Sequence, residues 1–160
     1  MPVEAAQFKE TLACWASGVT VITTVHDGAW KGATASSFTS LSLHPPTILV
    51  ALATKLYTRQ LISTVGVFAA SILADDQAET GKLFAGMYPE IEDRFSQAAW
   101  ETAHTGAPVL RGAAGWVDCT VLHTYEVGDH TIFIGQVEAA HAGSTPPVLY
   151  HRRQWGRFAP

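Results

Sequence analysis

Val19, Val21, Thr23 and Val25 alternate with Thr20, Ile22 and Thr24 in one β-branched run, and the run stops at His26-Asp27-Gly28. Branching at Cβ suits a pleated strand better than a helix. An Asp-Gly pair tolerates the positive φ angles of a tight two-residue turn. The run therefore predicts an antiparallel hairpin whose second strand begins at Trp30. A chain that opens its sheet in this way is steered away from a doubly wound parallel architecture.

The rest of the sequence agrees with that start. Ala5, Phe8, Leu12 and Trp15 recur at helical spacing, which predicts an amphipathic helix over Glu4 to Trp15, ending before Gly18. Thr47 to Ala53 is a short continuous apolar run introduced by Pro45 and Pro46, so it reads as a strand covered on both faces. A helical patch at Thr58 to Thr64 precedes a strand at Val67 to Leu73, and Asp76 with Glu79 predicts a capping box for a helix reaching Phe84. Gly86 to Leu110, with Pro89 and Pro108 and weak periodicity, reads as a long surface excursion or a lid. Gly115 to Ala140 predicts two long strands joined around Val127-Gly128-Asp129, and Pro147 to Tyr150 a last apolar segment before a basic aromatic tail. Many strands with few helices and no linker predict a single domain over residues 1–160, mainly β with peripheral helices, built as an antiparallel barrel or sandwich.

Between Gly32 and Pro46 the chain spends Thr34, Ser36, Ser37, Thr39, Ser40 and Ser42 where hydrophobic residues would be easier to bury. Small hydroxyl side chains allow a ligand close to the backbone and can both donate and accept. Such a wall suits a flat, polar-rimmed ligand with a phosphate tail. A water-facing loop of the same composition is the alternative.

Composition narrows the partners. A net charge of −4 with scattered basic residues offers no stripe for a polyanion, so nucleic acid is not expected. No apolar run approaches bilayer length, and no leader pattern opens the chain, so a cytoplasmic protein without membrane association is expected. With only 15% charged residues, part of the apolar surface is expected to be covered by a second copy, most simply in a homodimer. Cys14 and Cys119 lie too far apart in sequence to suggest a disulfide framework or a metal knuckle, and His123 with His130 lacks a third ligand, so no metal is expected. The chain has no GxGxxG after a strand, no GxxxxGK[ST] and no GxSxG. Any nicotinamide must therefore bind outside a Rossmann site.

Taken in order, SGVTVITT, the polar stretch ending in SLSLHPP, the strand after it, FAASIL at Phe68 to Leu73, FAG at Phe84 to Gly86 and GDHTIFIGQV at Gly128 to Val137 form a series. Together these motifs resemble the flavin reductase family with the FMN-binding split-barrel fold, the small reductase components of two-component flavin monooxygenases. The likeness runs from Phe8 to Arg157. It implies a homodimer of six-stranded split barrels, FMN or FAD near the subunit interface, and NADH or NADPH as hydride donor. It further implies an NAD(P)H:flavin oxidoreductase that supplies reduced flavin to a flavin-dependent monooxygenase.

The resemblance places flavin contacts at Thr34, Ala35, Ser36, Ser37 and Phe38, at Ser40 and Leu41, and along Leu52, Ala53, Thr54, Lys55 and Thr58. Phe84 and Ala85 fall near the flavin tail, and Arg94 in DRF is the looser match for a phosphate contact. His130 in GDH falls beside the nicotinamide, where it would stack or hydrogen-bond without serving as an obligatory acid; Asp129 would orient the turn or the imidazole. Relatives often carry Tyr-Gly-Arg near the C-terminus, and here Trp155-Gly156-Arg157 stands instead. An indole can stack on the same rings but loses the phenolic hydroxyl. It could equally cover the barrel end as a core residue. Two other readings stand beside the reductase: a flavoprotein that holds FMN tightly and passes electrons to a protein, and a split-barrel binding module with no redox role.

Overall fold

A computed structural model describes residues 1–160. Helix α1 (Ala5–Leu12) leads into β1 (Ser17–Gly18), β2 (Thr20–His26), β3 (Ala29–Ala35), β4 (Phe38–Leu43) and β5 (Pro46–Ala53). Then come α2 (Tyr57–Val65), β6 (Val67–Ile72), α3 (Ala78–Phe84), a short 3-10 turn (Phe95–Gln97), β7 (Trp100–Thr102) and β8 (Pro108–Leu110). Two long strands, β9 (Gly115–Val127) and β10 (His130–Ala142), precede the closing hairpin of β11 (Val148–His151) and β12 (Gln154–Arg157).

The main sheet has seven strands in the order β3-β2-β6-β9-β10-β5-β4, all antiparallel. Its two edge strands, β3 and β4, are consecutive in the chain and separated only by Ser36 and Ser37. At that point Phe38 N–H donates back to the Ser36 carbonyl at 3.1 Å. The backbone thus leaves one sheet edge and immediately joins the other. Counted as one kinked strand, β3 and β4 turn seven strands into the six of a barrel split at the kink.

The hairpin expected at Asp27-Gly28 forms, with φ of 50° and 75° at the two turn residues and His26 paired with Ala29. Residues alternate across β2, so Val21 joins one core and Ile22 another. The barrel interior holds Ile22, Ile48, Val50, Leu52, Ile62, Phe68, Cys119 and Phe133. Gly135 is required there, because a Cβ at that position would lie 2.6 Å from the Phe68 ring and 2.9 Å from Cys119 Cβ. Outside the barrel wall, Val19, Val21, Leu73, Leu83, Phe84, Leu110 and Val148 form the second core, roofed by α3 and by Tyr150 and Trp155.

Two expectations need correction. The capping box does not form: the N-cap of α3 is Gln77, one residue later than expected, so Asp76 and Glu79 no longer bracket the first turn. Gln77 instead accepts from Ala74 N–H at 3.0 Å and donates to the Arg111 carbonyl at 2.9 Å. Glu79 turns sideways to Lys82 Nζ at 2.7 Å and to the Tyr88 hydroxyl. Of the two readings of Gly86 to Leu110, the surface excursion holds as far as Gly106, with no buried residue, and the lid does not. Phe95 and Trp100 pack edge to face on Phe84, at centroid distances of 5.0 and 5.4 Å, and all of β8 is buried. Buried polar groups fasten it. Thr23 Oγ1 donates to the Pro108 carbonyl at 2.5 Å, and Leu110 N–H donates to Ser71 Oγ at 2.9 Å. The fully buried Asp118 accepts from the backbone of His104 and Thr105, both at 2.7 Å.

Candidate functional site

The kink between β3 and β4, the C-terminal end of α3 and the β11–β12 hairpin converge on a cleft of about 280 Å³. It is lined by Val19, Thr34, Ser36, Ala85, Met87, Tyr150, Arg153 and Trp155. Ligand pockets commonly hold roughly 300–1,000 Å³, so this volume accommodates a ring system better than a whole dinucleotide. Four of the eight, Thr34, Ser36, Ala85 and Trp155, are residues singled out from the sequence. Tyr150 was hidden inside an apolar segment. Met87 and Val19 carried no signal of their own. Arg153 lay unmarked in the basic aromatic tail, beside Arg152 and four residues before Arg157.

Trp155 is both a core-packed residue and a wall of the cleft. Its indole meets Tyr150 edge to face at 5.5 Å and 69°, packs on the second core, and still presents a face to the cleft. Gly81 makes this possible. A Cβ there would stand 2.7 Å from the Trp155 ring and 2.7 Å from Leu73 Cδ1, which explains a glycine inside α3.

The hydroxyl wall is less open to a ligand than its composition suggests. Thr34 Oγ1 donates to the Gly81 carbonyl at 2.6 Å, tying α3 to β3. Ser37 Oγ donates to the Ala51 carbonyl at 2.5 Å, and Ala51 N–H returns a bond to the Ser37 carbonyl at 3.1 Å. Thr39 donates to the Ser40 carbonyl at 3.4 Å, and Ser42 accepts from His44 N–H at 3.2 Å. These hydroxyls stabilise the kink and the edge strand first. Ser36, exposed at the kink, is the one that opens on the cleft without such a bond.

A second group gathers at the far end of β5. His130 lies opposite Ala53 in the ladder, and Thr54 N–H donates to the Asp129 carbonyl at 2.8 Å. Lys55 is exposed beside them, and Thr58 is buried in the first turn of α2. That helix starts with no side-chain cap and no acidic residue in its first turn, so its N-terminal amides can receive an anion. Asp129 Oδ1 lies 2.8 Å from His130 Nδ1, and this hydrogen bond with the imidazole holds the Asp129 carboxyl below the usual carboxylate range. Both side chains are exposed, so the contact biases the ring orientation without locking it. Ser40 and Leu41 are exposed on β4, with Phe38 half-buried at its start.

Some expected contacts can reach a ligand only through backbone. Leu52 and Ala35 are buried in the barrel core, and Phe84 in the aromatic cluster of the second core. Arg94 is not brought to the cleft; it lines a separate hollow with Trp30, Lys31, Gly32 and Asp93.

A split barrel with an aromatic-walled, ring-sized cleft, one arginine at its rim and an uncapped helix start nearby is a nucleotide-binding architecture. The cleft's mixed lining fits a flavin ring: Tyr150 and Trp155 offer apolar faces, while Ser36 and the kinked backbone offer polar edges. Comparison with known proteins gives the family. Residues 12–159 match the flavin reductase like domain, and the chain belongs to that family.

The reductase component of the 4-nitrophenol 4-monooxygenase/4-nitrocatechol 2-monooxygenase of Rhodococcus opacus is 38% identical over 99% of this chain and 84% of its own length. The NADH-dependent FAD reductase of Streptomyces globisporus is 33% identical over 99% of this chain and 88% of its own. Among solved structures, the NADH:FAD oxidoreductase of Streptomyces globisporus C-1027 in complex with NAD and FAD fragments superposes with a TM-score of 0.91. It is 32% identical and covers 98% of this chain and 94% of that one.

Proposed function

We propose that the protein is an NAD(P)H:flavin oxidoreductase that reduces FMN or FAD for a partner flavin-dependent monooxygenase. The match over residues 12–159 carries this reading, and the ring-sized cleft at the kink supports it. A bound flavin would supply the hydride acceptor and a bound nicotinamide dinucleotide the hydride donor.

The chain's own work is alignment and exclusion of water. Tyr150 and Trp155 form an edge-to-face wall against which a planar ring can lie, and Gly81 behind the indole keeps that wall from advancing into the cleft. The backbone at Ser36 and Ser37 is held by Ser37 and Ala51, so its polar groups need no rearrangement when they meet a ring edge. Thr54, Lys55, Thr58 and the start of α2 form the cationic, amide-rich end where a phosphate belongs. His130, oriented by Asp129, takes the nicotinamide side. This reading assigns no obligatory acid or base, because hydride transfer between stacked rings depends on closeness and orientation.

Exposed Leu41 and Leu43 on β4 and Leu122, Tyr125 and Val127 on β9 supply apolar surface for a homodimer, which sedimentation equilibrium tests. No helix is long and apolar enough to cross a membrane. The activity is tested by following oxidation of NADH and NADPH with FMN, FAD and riboflavin supplied in turn. Catalytic turnover of free flavin supports the reading. Tight retention of FMN through gel filtration without turnover would replace it with an electron-transfer flavoprotein, and failure to bind either flavin would leave a binding module.

A further inference from the structure

The β11–β12 hairpin turns through Arg152 and Arg153, at φ of 48° and 64°. Both central positions of such a turn favour Gly, Asn or Asp, so two long cations occupy a conformation that a side chain rarely adopts. Backbone outliers of this kind gather at ligand sites. The two arginines have different surroundings. Arg152 faces α1: its N–H donates to the Ala13 carbonyl at 3.0 Å, and its guanidinium reaches Cys14 Sγ at 3.2 Å. Arg157, the third tail arginine, lines a separate hollow beside Leu149 and His151.

Arg153 alone of the three lines the ring cleft. It also lines a second hollow of about 240 Å³ beneath α1, which shares Ser36, Tyr150 and Arg153 with the first and adds Arg152, Leu12, Trp15 and Ser37. Arg153, with Ser36 and Tyr150, thus forms the wall common to the two hollows. Its present partner is Glu10 on α1, with Nη2 to Oε1 at 2.7 Å. Both side chains are more than half exposed, at 58% and 68%, so this pair is weakly held and readily exchanged. Helix α1 has no buried residue, and Phe8, Leu12 and Trp15 remain exposed. Arg152 and Arg153 both bond to this segment from the hairpin.

We infer that Arg153 receives a phosphate of the nucleotide that enters the ring cleft, and that Glu10 occupies that cation until the phosphate displaces it. This rests on the reductase reading and identifies the residue that senses the nucleotide's charge. A phosphate offers two or three acceptors to a guanidinium fork that a single exposed carboxylate now holds, so the exchange favours the nucleotide. Because Glu10 competes, removing either member of the pair must shift affinity in opposite directions.

The test is equilibrium dialysis of NAD⁺, and separately of FMN and riboflavin, against the wild type, Arg153→Gln, Glu10→Gln and the double variant, with thermal melts confirming that each is folded. Arg153→Gln should weaken binding of the phosphate-bearing ligand about tenfold or more, as for loss of a charge-assisted contact. Glu10→Gln should tighten it about threefold and should have no effect once Arg153 is gone. A change confined to NAD⁺ assigns the phosphate to the dinucleotide; a change confined to FMN, with riboflavin unmoved, assigns it to the flavin. Unaltered affinities in Arg153→Gln, an equal change for riboflavin, or Glu10→Gln acting alike with and without Arg153 would overturn the inference. Wild-type turnover of NAD(P)H with flavin, measured first, separates that outcome from failure of the reductase reading itself.

Discussion

Substituting Gly81 by Ala sets helix propensity against packing, and the structure decides the sign. In a helix interior Ala is favoured over Gly by about 1 kcal/mol. Here the added methyl carbon would lie 2.7 Å from the Trp155 ring and 2.7 Å from Leu73 Cδ1, against 3.4 Å for ordinary contact, so the indole must retreat by about 0.7 Å. Helix α3 cannot simply slide away, because Thr34 Oγ1 holds the Gly81 carbonyl at 2.6 Å. Overpacking costs about 1–3 kcal/mol, so the net effect is a loss of up to about 2 kcal/mol, or a fall in Tm of about 4–8 °C at the upper limit for a chain of this size. Since Trp155 lines the cleft, kcat/KM should fall about tenfold as the ring shifts. Thermal unfolding and steady-state NADH oxidation measure the two effects. Combining Gly81→Ala with Trp155→Phe removes the obstructing indole atoms while Leu73 Cδ1 stays, and should restore part of the stability lost in Gly81→Ala alone. A higher Tm in Gly81→Ala with unchanged kcat/KM would refute the reasoning.

Three further outcomes follow from other parts of the molecule. His130→Ala should raise the KM for NADH about fivefold, the size of one hydrogen bond of about 1 kcal/mol, with flavin affinity retained; unchanged KM with lost flavin affinity would contradict the role. Asp118→Ala should lower stability in urea by about 3 kcal/mol, since the buried carboxylate accepts from His104 and Thr105 and those donors would be left unpaired; a loss below 1 kcal/mol would refute it. Burial, with Asp118 and Glu138 nearby, pushes the Cys119 thiol up to about 12, from a model-compound value of 9.0. A disulfide reagent near pH 8 should therefore modify exposed Cys14 and leave Cys119 untouched until the protein is unfolded. Because the folded value is the raised one, the associated stability is complete below pH 9 and declines as pH climbs from there toward 12, a slope that Cys119→Ala should flatten.

Local chemistry made much of this protein legible from its residues. β-branched alternation located β2, Asp-Gly and Gly-Asp located two of the hairpin turns, and the uninterrupted apolar run located β5, because strand and turn preferences act over a few residues. Family motifs pointed to the kink and to His130, and Thr34, Ser36, Ala85 and Trp155 do share one cleft. Other assignments depended on neighbours distant in the chain. Phe95, Trp100 and β8 read as an excursion because their partners, Phe84, Thr23 and Ser71, lie elsewhere in sequence. The hydroxyls of Thr34 and Ser37 read as ligand contacts, yet tertiary packing supplied them with the carbonyls of Gly81 and Ala51. Arg153 could not be told from Arg152 or Arg157 until the β11–β12 hairpin folded back on the kink. Hydrophobic pattern and turn chemistry thus determined which strands form, while only the assembled split barrel decided which polar groups satisfy one another and which remain free for a ligand.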